Sequence, residues 1–382
     1  MYSLFGYGSL VADRVRVEAY AQALRKTVRE GSVVADIGTG PGIFAVLACQ
    51  LGASRVYAIE PSEIIQVARE IAAVNNCVNK IEFFEEFSDR VTLPTRADVI
   101  VSDLRGVLPL FGQHISAIID ARRRFLGPSG ILIPRKDTLW AAIVEAAKPY
   151  GELVNSWDHN ALGQDLSAAR RLIVNNSQKV RVSSDQLLTA HQLWTTLDYG
   201  SINNPNVRGH VDWTVLRAGT GHGVVVWFDA DLAEDTGFSN APDAPETIYG
   251  SQFFPWTQPV SLGPGQTVRV SLEAKLVEQD YVWRWSTRIE PREGSGASVI
   301  RFEQSQLAGE VLSPAQLHRK AADYVPQLSE EGRLFQRTFE LMSGKLTLEV
   351  IAHRLAAEFP QRFPTWEQAL CYAGRISQEY SR

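Results

Sequence analysis

The densest group of residues able to do chemistry lies in the stretch VVADIGTGPGIFAVLACQLGASRVYAIEPSE, Val33 to Glu63. Asp36-Ile37-Gly38-Thr39-Gly40-Pro41-Gly42 stands between a β-rich run and a helical one that opens at Ile43. Glycine lets a backbone pass close to a ligand, and a helix N-terminus offers free N–H groups. The dinucleotide fingerprint GxGxxG would need a last glycine where this chain has Ile43. Asp36, at the strand end, would repel a pyrophosphate and suits a cationic ligand bearing an amino group. Glu60 ends the next strand, where an acid accepts hydrogen bonds from ribose hydroxyls. S-adenosylmethionine (SAM), with a sulfonium and an ammonium, satisfies both acids, so Asp36, Gly38, Thr39, Gly40, Gly42 and Glu60 are the expected cofactor loop.

Methyl transfer from a sulfonium is an in-line displacement, in which a protein mainly positions two groups and supplies a base where needed. Ser102-Asp103-Leu104-Arg105-Gly106 ends the fourth β-rich run, and α/β sites lie at the carboxyl ends of strands. Asp103 is therefore the candidate base or orienting group, with a salt bridge to Arg16 or Arg105 as its competing use. Arg105 has the same choice between Asp103 and a substrate carboxylate. Tyr2 and Tyr7 are candidates for a cover over the cofactor. The seven histidines (114, 159, 191, 210, 222, 318 and 353) show no ligand spacing, so no metal site is expected.

These residues need an α/β frame. SVVADI, RVYAIE, KIEFF, DVIVSD and GILIP alternate with helical runs at Ile43–Leu51, Ser62–Asn75 and His114–Phe125, the pattern of a parallel sheet covered on both faces. Residues 1–144 are read as this Rossmann-like domain. From 145 to 300 strand-like pieces such as 221–232, 266–276 and 280–289 dominate, punctuated by Gly, Pro, Asn and Asp, which predicts an antiparallel barrel or sandwich. A more helical insertion lies near 157–187. Residues 301–382 read as a small helical or winged-helix module, with a Ser313-Pro314 helix start, a turn at Ser343-Gly344-Lys345 and a helix opening near Thr347.

Composition sets the class. With 45% hydrophobic and 21% charged residues the chain is an ordinary globular protein. A net charge of −5 argues against a nucleic-acid partner. The basic run DARRRF, Asp120 to Phe125, reads as a solvated helix face. Three dispersed cysteines (49, 77 and 371) suit a reducing, cytoplasmic setting, and no run is long and apolar enough to imply a membrane partner.

DRVRVEAYAQAL, the Val33–Glu63 stretch, VTLPTRADVIVSD and the downstream DTGFSNAPDAPETIYGSQFFPWTQPVSLGPGQTV resemble the protein arginine methyltransferases, over about Asp13 to Ile300. The resemblance implies a Rossmann-like methyltransferase domain, a β-barrel carrying a helical dimerisation arm near 157–187, a head-to-tail homodimer, a peptide or protein substrate, and conversion of SAM to S-adenosyl-L-homocysteine. It assigns Arg16 to the SAM carboxylate, Asp36, Gly38 and Gly40 to the methionine part, Glu60 to the ribose, and Ser88 and Asp89 to the adenine.

The acceptor side departs from that family. Where it places two glutamates to clamp a guanidinium, this chain has Asp103 and, at about the second position, Gly112. Its Thr-His-Trp loop corresponds to Phe254-Pro255-Trp256. A bidentate carboxylate is the natural partner of guanidinium, so these changes weaken the case for arginine and open the acceptor to a carboxyl, hydroxyl or amide group. The alternatives are arginine methylation by a reduced site built on Asp103, a small-molecule substrate, and a non-catalytic SAM-binding scaffold. FELMSGKLTLEVIAHRLAAEFP (339–360) resembles PqqD-like peptide-binding domains, which implies a precursor peptide held by its leader.

Overall fold

The computed structural model describes residues 3–292 and 298–381, which divide after Glu310 into two compact units. The first opens with helices α1 (Leu4–Ala12) and α2 (Arg14–Thr27), capped by Ser3 and Asp13. Then follow β1 (Val33–Ile37), α3 (Ile43–Gln50), β2 (Arg55–Ile59), α4 (Ile64–Val74), β3 (Ile81–Phe84), β4 (Ala97–Ser102), α5 (His114–Arg124) and β5 (Leu126–Ile133). The strands form one parallel sheet in the order β3-β2-β1-β4-β5. Val34, Ala35, Val56, Ala58, Val99 and Ile100 are fully buried, as a sheet covered on both faces requires. The chain order reverses between β1 and β4, and there the register pairs Ile37 with Ser102. The glycine loop and Asp103 thus leave the sheet side by side at its switch point.

The second part begins with β6 (Lys136–Val144), α6 (Ala147–Asp158), α7 (Ser167–Ile173), β7 (Gln178–Val180), β8 (Gln192–Asp198) and β9 (Val207–Thr214). It continues through β10 (Gly219–Ala233), β11 (Thr236–Ser239), β12 (Ser251–Leu262), β13 (Thr267–Val277), β14 (Asp280–Ile289), β15 (Ile300–Ser305) and α8 (Gln306–Gly309). One antiparallel sheet runs β7-β12-β10-β6-β8, with β11 on β10, and a second runs β15-β14-β13-β9, a barrel-like pair. Trp213, Trp256, Trp285, Phe228 and Phe254 fill the interior.

Two domain limits move. Strand β6 pairs with β10 from Lys136 to Val144, so the second domain starts about nine residues before the expected 145. Strand β15 pairs with β14, and the break to the second compact unit falls after Glu310 rather than at 301. In both places the backbone groups of a strand need partners, which β6 finds in β10 and β8 and β15 in β14, and the pairing decides the membership.

Helices α6 and α7 stand where the arm was expected. Arg170 of α7 ties them to the barrel through Asp158, the Tyr150 hydroxyl and the Thr257 carbonyl. Trp157 and Leu162 at the hairpin tip remain exposed.

The second unit is helical: α9 (Pro314–Arg319), α10 (Glu330–Ser343), α11 (Leu348–Glu358) and α12 (Trp366–Tyr380). Ser313, Ser329 and Thr347 cap the first three. Leu334, Leu341, Ile351, Leu355, Phe363 and Ile376 form a core of their own. Among the described residues of this unit there is no strand, so the winged alternative gives way to a helical bundle.

Candidate active site

The glycine loop follows β1 as expected. Gly38, Gly40 and Gly42 all take positive φ, at 72°, 54° and 84°. They serve different neighbours. A Cβ on Gly40 would meet the Tyr7 ring at 2.9 Å, and one on Gly42 would meet the Ala68 Cβ of α4 at 2.9 Å. Gly40 therefore admits the α1 cover, while Gly42 lets α3 pack on α4. Gly38 lies beneath the Leu104 side chain. Tyr7 is thus placed over the loop, and Tyr2 lies outside the described residues.

Asp36 is buried and accepts a 2.6 Å hydrogen bond from the Thr39 hydroxyl. Burial pushes its carboxyl up to about 7, with Thr39 opposing. Burial penalises the ionised form of such an acid, and a ligand cation beside it offsets that penalty. Glu60 is buried at the end of β2 and accepts from Gly40 N, Ser62 N and the Ser62 hydroxyl. It holds the loop as well as facing the cofactor edge of the sheet. Ser88 and Asp89 sit in a short 3-10 turn, Ser88 half-buried and Asp89 exposed. Arg124 of α5 fixes that turn by donating to the Ser88 and Val91 carbonyls, at 2.6 Å each. The basic run 120–125 is thus only partly a solvated face: Arg123 is exposed, Arg124 anchors this turn, and Arg122 donates to the Tyr199 and Ile202 carbonyls.

Arg16 lies on α2, almost wholly buried. Its Nη1 donates to Asp103 at 2.6 Å and its Nη2 to the Leu10 carbonyl at 2.7 Å. Its Nε is buried with no hydrogen-bond partner. Buried donors are rarely left alone, and a cofactor carboxylate is the kind of group that would complete this one. With Asp36 and Glu60 on the adjacent strand ends, the residues present fit SAM.

The acceptor side is filled from within. Asp103 Oδ2 accepts from Arg16, Oδ1 accepts from Arg105 at 2.9 Å, and the Tyr249 hydroxyl lies 2.7 and 2.8 Å from the two oxygens. Burial would raise the Asp103 carboxyl, but the two guanidiniums outweigh it and hold the group below the usual carboxylate range. A carboxylate so stabilised is a weak base, and its oxygens are occupied. Arg105 is fully buried. It pairs bidentately with Asp137 of β6, at 2.8 Å for both contacts, and also donates to the Tyr20 hydroxyl. Its guanidinium lies over the Phe228 and Phe238 rings, 5.5 and 5.9 Å from their centroids. This corrects the expectation for Arg105: it closes the seam between the two domains and has no face left for a substrate carboxylate. Both competing salt bridges expected for Asp103 form, at the expense of its role as a free base.

The network extends to residues that motif reading missed. The Tyr199 hydroxyl donates to Asp137 at 2.6 Å and accepts from His114 Nε2 at 2.9 Å. Burial, with Arg105 nearby, lowers His114 to about 3, so it is neutral. The Tyr20 hydroxyl donates a hydrogen bond to the Ser102 carbonyl. Two arginines and two aspartates balance in charge, which a dry cluster requires. The only sequence signal for it was Arg105, a cation at the end of an apolar strand that had to find a buried acid.

Gly112 lies in the turn before α5 with φ of 46° and brings no carboxylate. Phe254, Pro255 and Trp256 belong to β12: Phe254 packs on Trp283 and Trp285, and the Trp256 indole donates to Thr287. That stretch is barrel core rather than an acceptor loop.

A five-stranded α/β domain with this loop, joined to a barrel-like domain, defines the class: a SAM-dependent methyltransferase. Comparison with known proteins places it more narrowly. Residues 18–157 match the family described as ribosomal protein L11 methyltransferase, and residues 135–287 match the arginine methyltransferase oligomerization subdomain. Protein arginine N-methyltransferase 1 of Dictyostelium discoideum is 27% identical over 281 residues, 71% of this chain and 82% of the relative. A probable protein arginine N-methyltransferase 3 of Arabidopsis thaliana is 30% identical over 299 residues, covering 70% of this chain and 49% of the relative. The fold matches the Trypanosoma brucei PRMT1 enzyme-prozyme heterotetrameric complex with AdoHcy at a TM-score of 0.72 and 19% identity, over 78% of this chain and 97% of that one. It matches Arabidopsis thaliana protein arginine methyltransferase 10 at 0.69 and 21% identity, over 80% and 98%. The chain is a SAM-dependent methyltransferase that is similar to the protein arginine methyltransferases.

Proposed function

We propose that this enzyme transfers the SAM methyl group to a peptide or protein whose acceptor atom is not an arginine guanidinium. The observation that carries this is the commitment of Asp103: its oxygens are taken by Arg16, Arg105 and Tyr249, and Gly112 supplies no second carboxylate. A polypeptide acceptor is supported by the two matched families, both described as methyltransferase families of proteins or of arginine. SAM supplies an electrophilic methyl when bound. Arg16 would hold its carboxylate, Asp36 and the loop its methionine part, and Glu60 its ribose, while Tyr7 and Leu104 lie over Gly40 and Gly38 of the loop.

The names of the relatives favour a second reading, arginine N-methylation. The two separate on matched peptides, one arginine-rich and one with every arginine replaced by lysine, incubated with labelled SAM. The first reading expects transfer to depend on a residue other than arginine; transfer confined to the arginine peptide overturns it.

The helical unit after Glu310 has its own core, and its PqqD-like stretch suits a leader-docking role on a precursor peptide. Known strand-addition docking needs an open sheet edge, so here a leader would use a helical surface. Removal of residues 311–382 should then abolish modification of a leader-bearing peptide and spare SAM binding. The same reading includes a cytoplasmic setting and a homodimer, the homodimer supported by the oligomerization-subdomain match and the exposed arm tip.

A further inference from the structure

Tyr249 lies in the downstream stretch that carries the resemblance, and its hydroxyl spans both oxygens of Asp103. Asp13 explains its position. One Asp13 oxygen caps α2 at the Arg16 amide, at 3.1 Å, and the other accepts from Ile248 N at 2.8 Å. A single residue thus sets the helix that carries Arg16 and the segment that carries Tyr249. The Tyr249 ring is stacked on Phe238, 5.8 Å between centroids at 7°, which fixes the hydroxyl's direction. Asp103 in turn holds Nη1 of Arg16, and the Leu10 carbonyl holds Nη2, so the guanidinium plane is locked and only Nε lacks a partner.

We infer that Asp103 and Tyr249 are positioning residues for the cofactor's carboxylate, acting through Arg16, and that neither contacts the acceptor. The carboxylate at the end of β4 thus orients an arginine that keeps a buried, unpartnered Nε donor. This rests on SAM as cofactor and not on which atom is methylated.

The test uses the full chain with no acceptor present. Calorimetry measures binding of SAM and of decarboxylated SAM, which keeps the adenosine, sulfonium and amine but lacks the carboxylate. Wild type should prefer SAM by at least about tenfold, the scale of one charge-assisted hydrogen bond. Tyr249→Phe and Asp103→Asn should each weaken SAM by about tenfold and leave decarboxylated SAM within about twofold of wild type. Equal losses for both ligands would mean a merely structural role and overturn the inference, as would no loss for SAM. The wild-type preference stands apart from variant folding: a wild type that binds both ligands equally overturns it alone. Failure of methylation on any given peptide moves none of these readings.

Discussion

The Arg16 guanidinium and the Asp103 carboxylate meet at 2.6 Å between α2 and the end of β4, with side chains only 5% and 7% exposed. Methyl-donor and acceptor sides of the site share this contact. The donor side keeps an unpartnered Nε for the cofactor, whereas the acceptor side has spent its carboxylate on the contact itself.

Arg105 makes the seam expensive to disturb. Arg105→Ala would leave Asp137 and Asp103 buried opposite a cavity. Breaking one partner of a buried pair costs roughly 3–5 kcal/mol. Urea unfolding should therefore show a loss of about that size, whereas Arg123→Ala on exposed α5 surface should stay near wild type.

Asp36 predicts a pH dependence. Its folded pKa of about 7 lies above the ordinary value of 3.8. Between those values the native state holds a proton that the unfolded state has released, so this group makes stability fall as pH rises from about 4 to about 7. A bound cation favours the ionised form, so SAM affinity should rise with pH over the same window and flatten above it. Calorimetry at pH 6 in two buffers of different ionisation enthalpy should report proton release on binding, and Asp36→Asn should abolish the release.

Arg124 should matter to the cofactor without touching its reacting end. It fixes the turn bearing Ser88 and Asp89 through two carbonyls. Arg124→Ala is expected to weaken SAM several-fold, about 1 kcal/mol for a hydrogen-bonded support, with kcat at saturating SAM unchanged. A fall in kcat with unaltered SAM affinity would contradict that assignment.

The arm tip gives a prediction for assembly. Leu162 is 79% exposed beside half-exposed Trp157. If this face closes a homodimer, Leu162→Asp should convert a dimer to a monomer by light scattering, with the melting temperature of the monomer little changed.

Much of this was legible in the sequence, and the reason is locality. Asp36, the three glycines and Glu60 lie within one β-α-β unit, so their spacing already fixes their geometry. Strands β1, β2 and β4 are short, β-branched apolar runs, buried along most of their length. The first domain limit shifted because β6 finds its partner β10 far along the chain, and the second because β15 stays paired with its neighbour β14. The buried cluster was illegible because its partners are distant too. Tyr20, Asp103, Arg105, Asp137, Tyr199 and Tyr249 come from five separate segments, and spacing joins only Asp103 with Arg105. Phe254-Pro255-Trp256 stood where a family loop should be, but three bulky apolar or ring residues in a strand are first of all core.

The most direct measurement is the identity of the methylated residue. Extract from cells lacking this enzyme should be incubated with it and methyl-labelled SAM, and the protein fraction hydrolysed in acid and separated by amino acid. An acceptor site without a guanidinium clamp predicts label that the enzyme adds outside methylarginine, as another methylated side chain or as volatile methanol from an ester. Label recovered as mono- or dimethylarginine would contradict it.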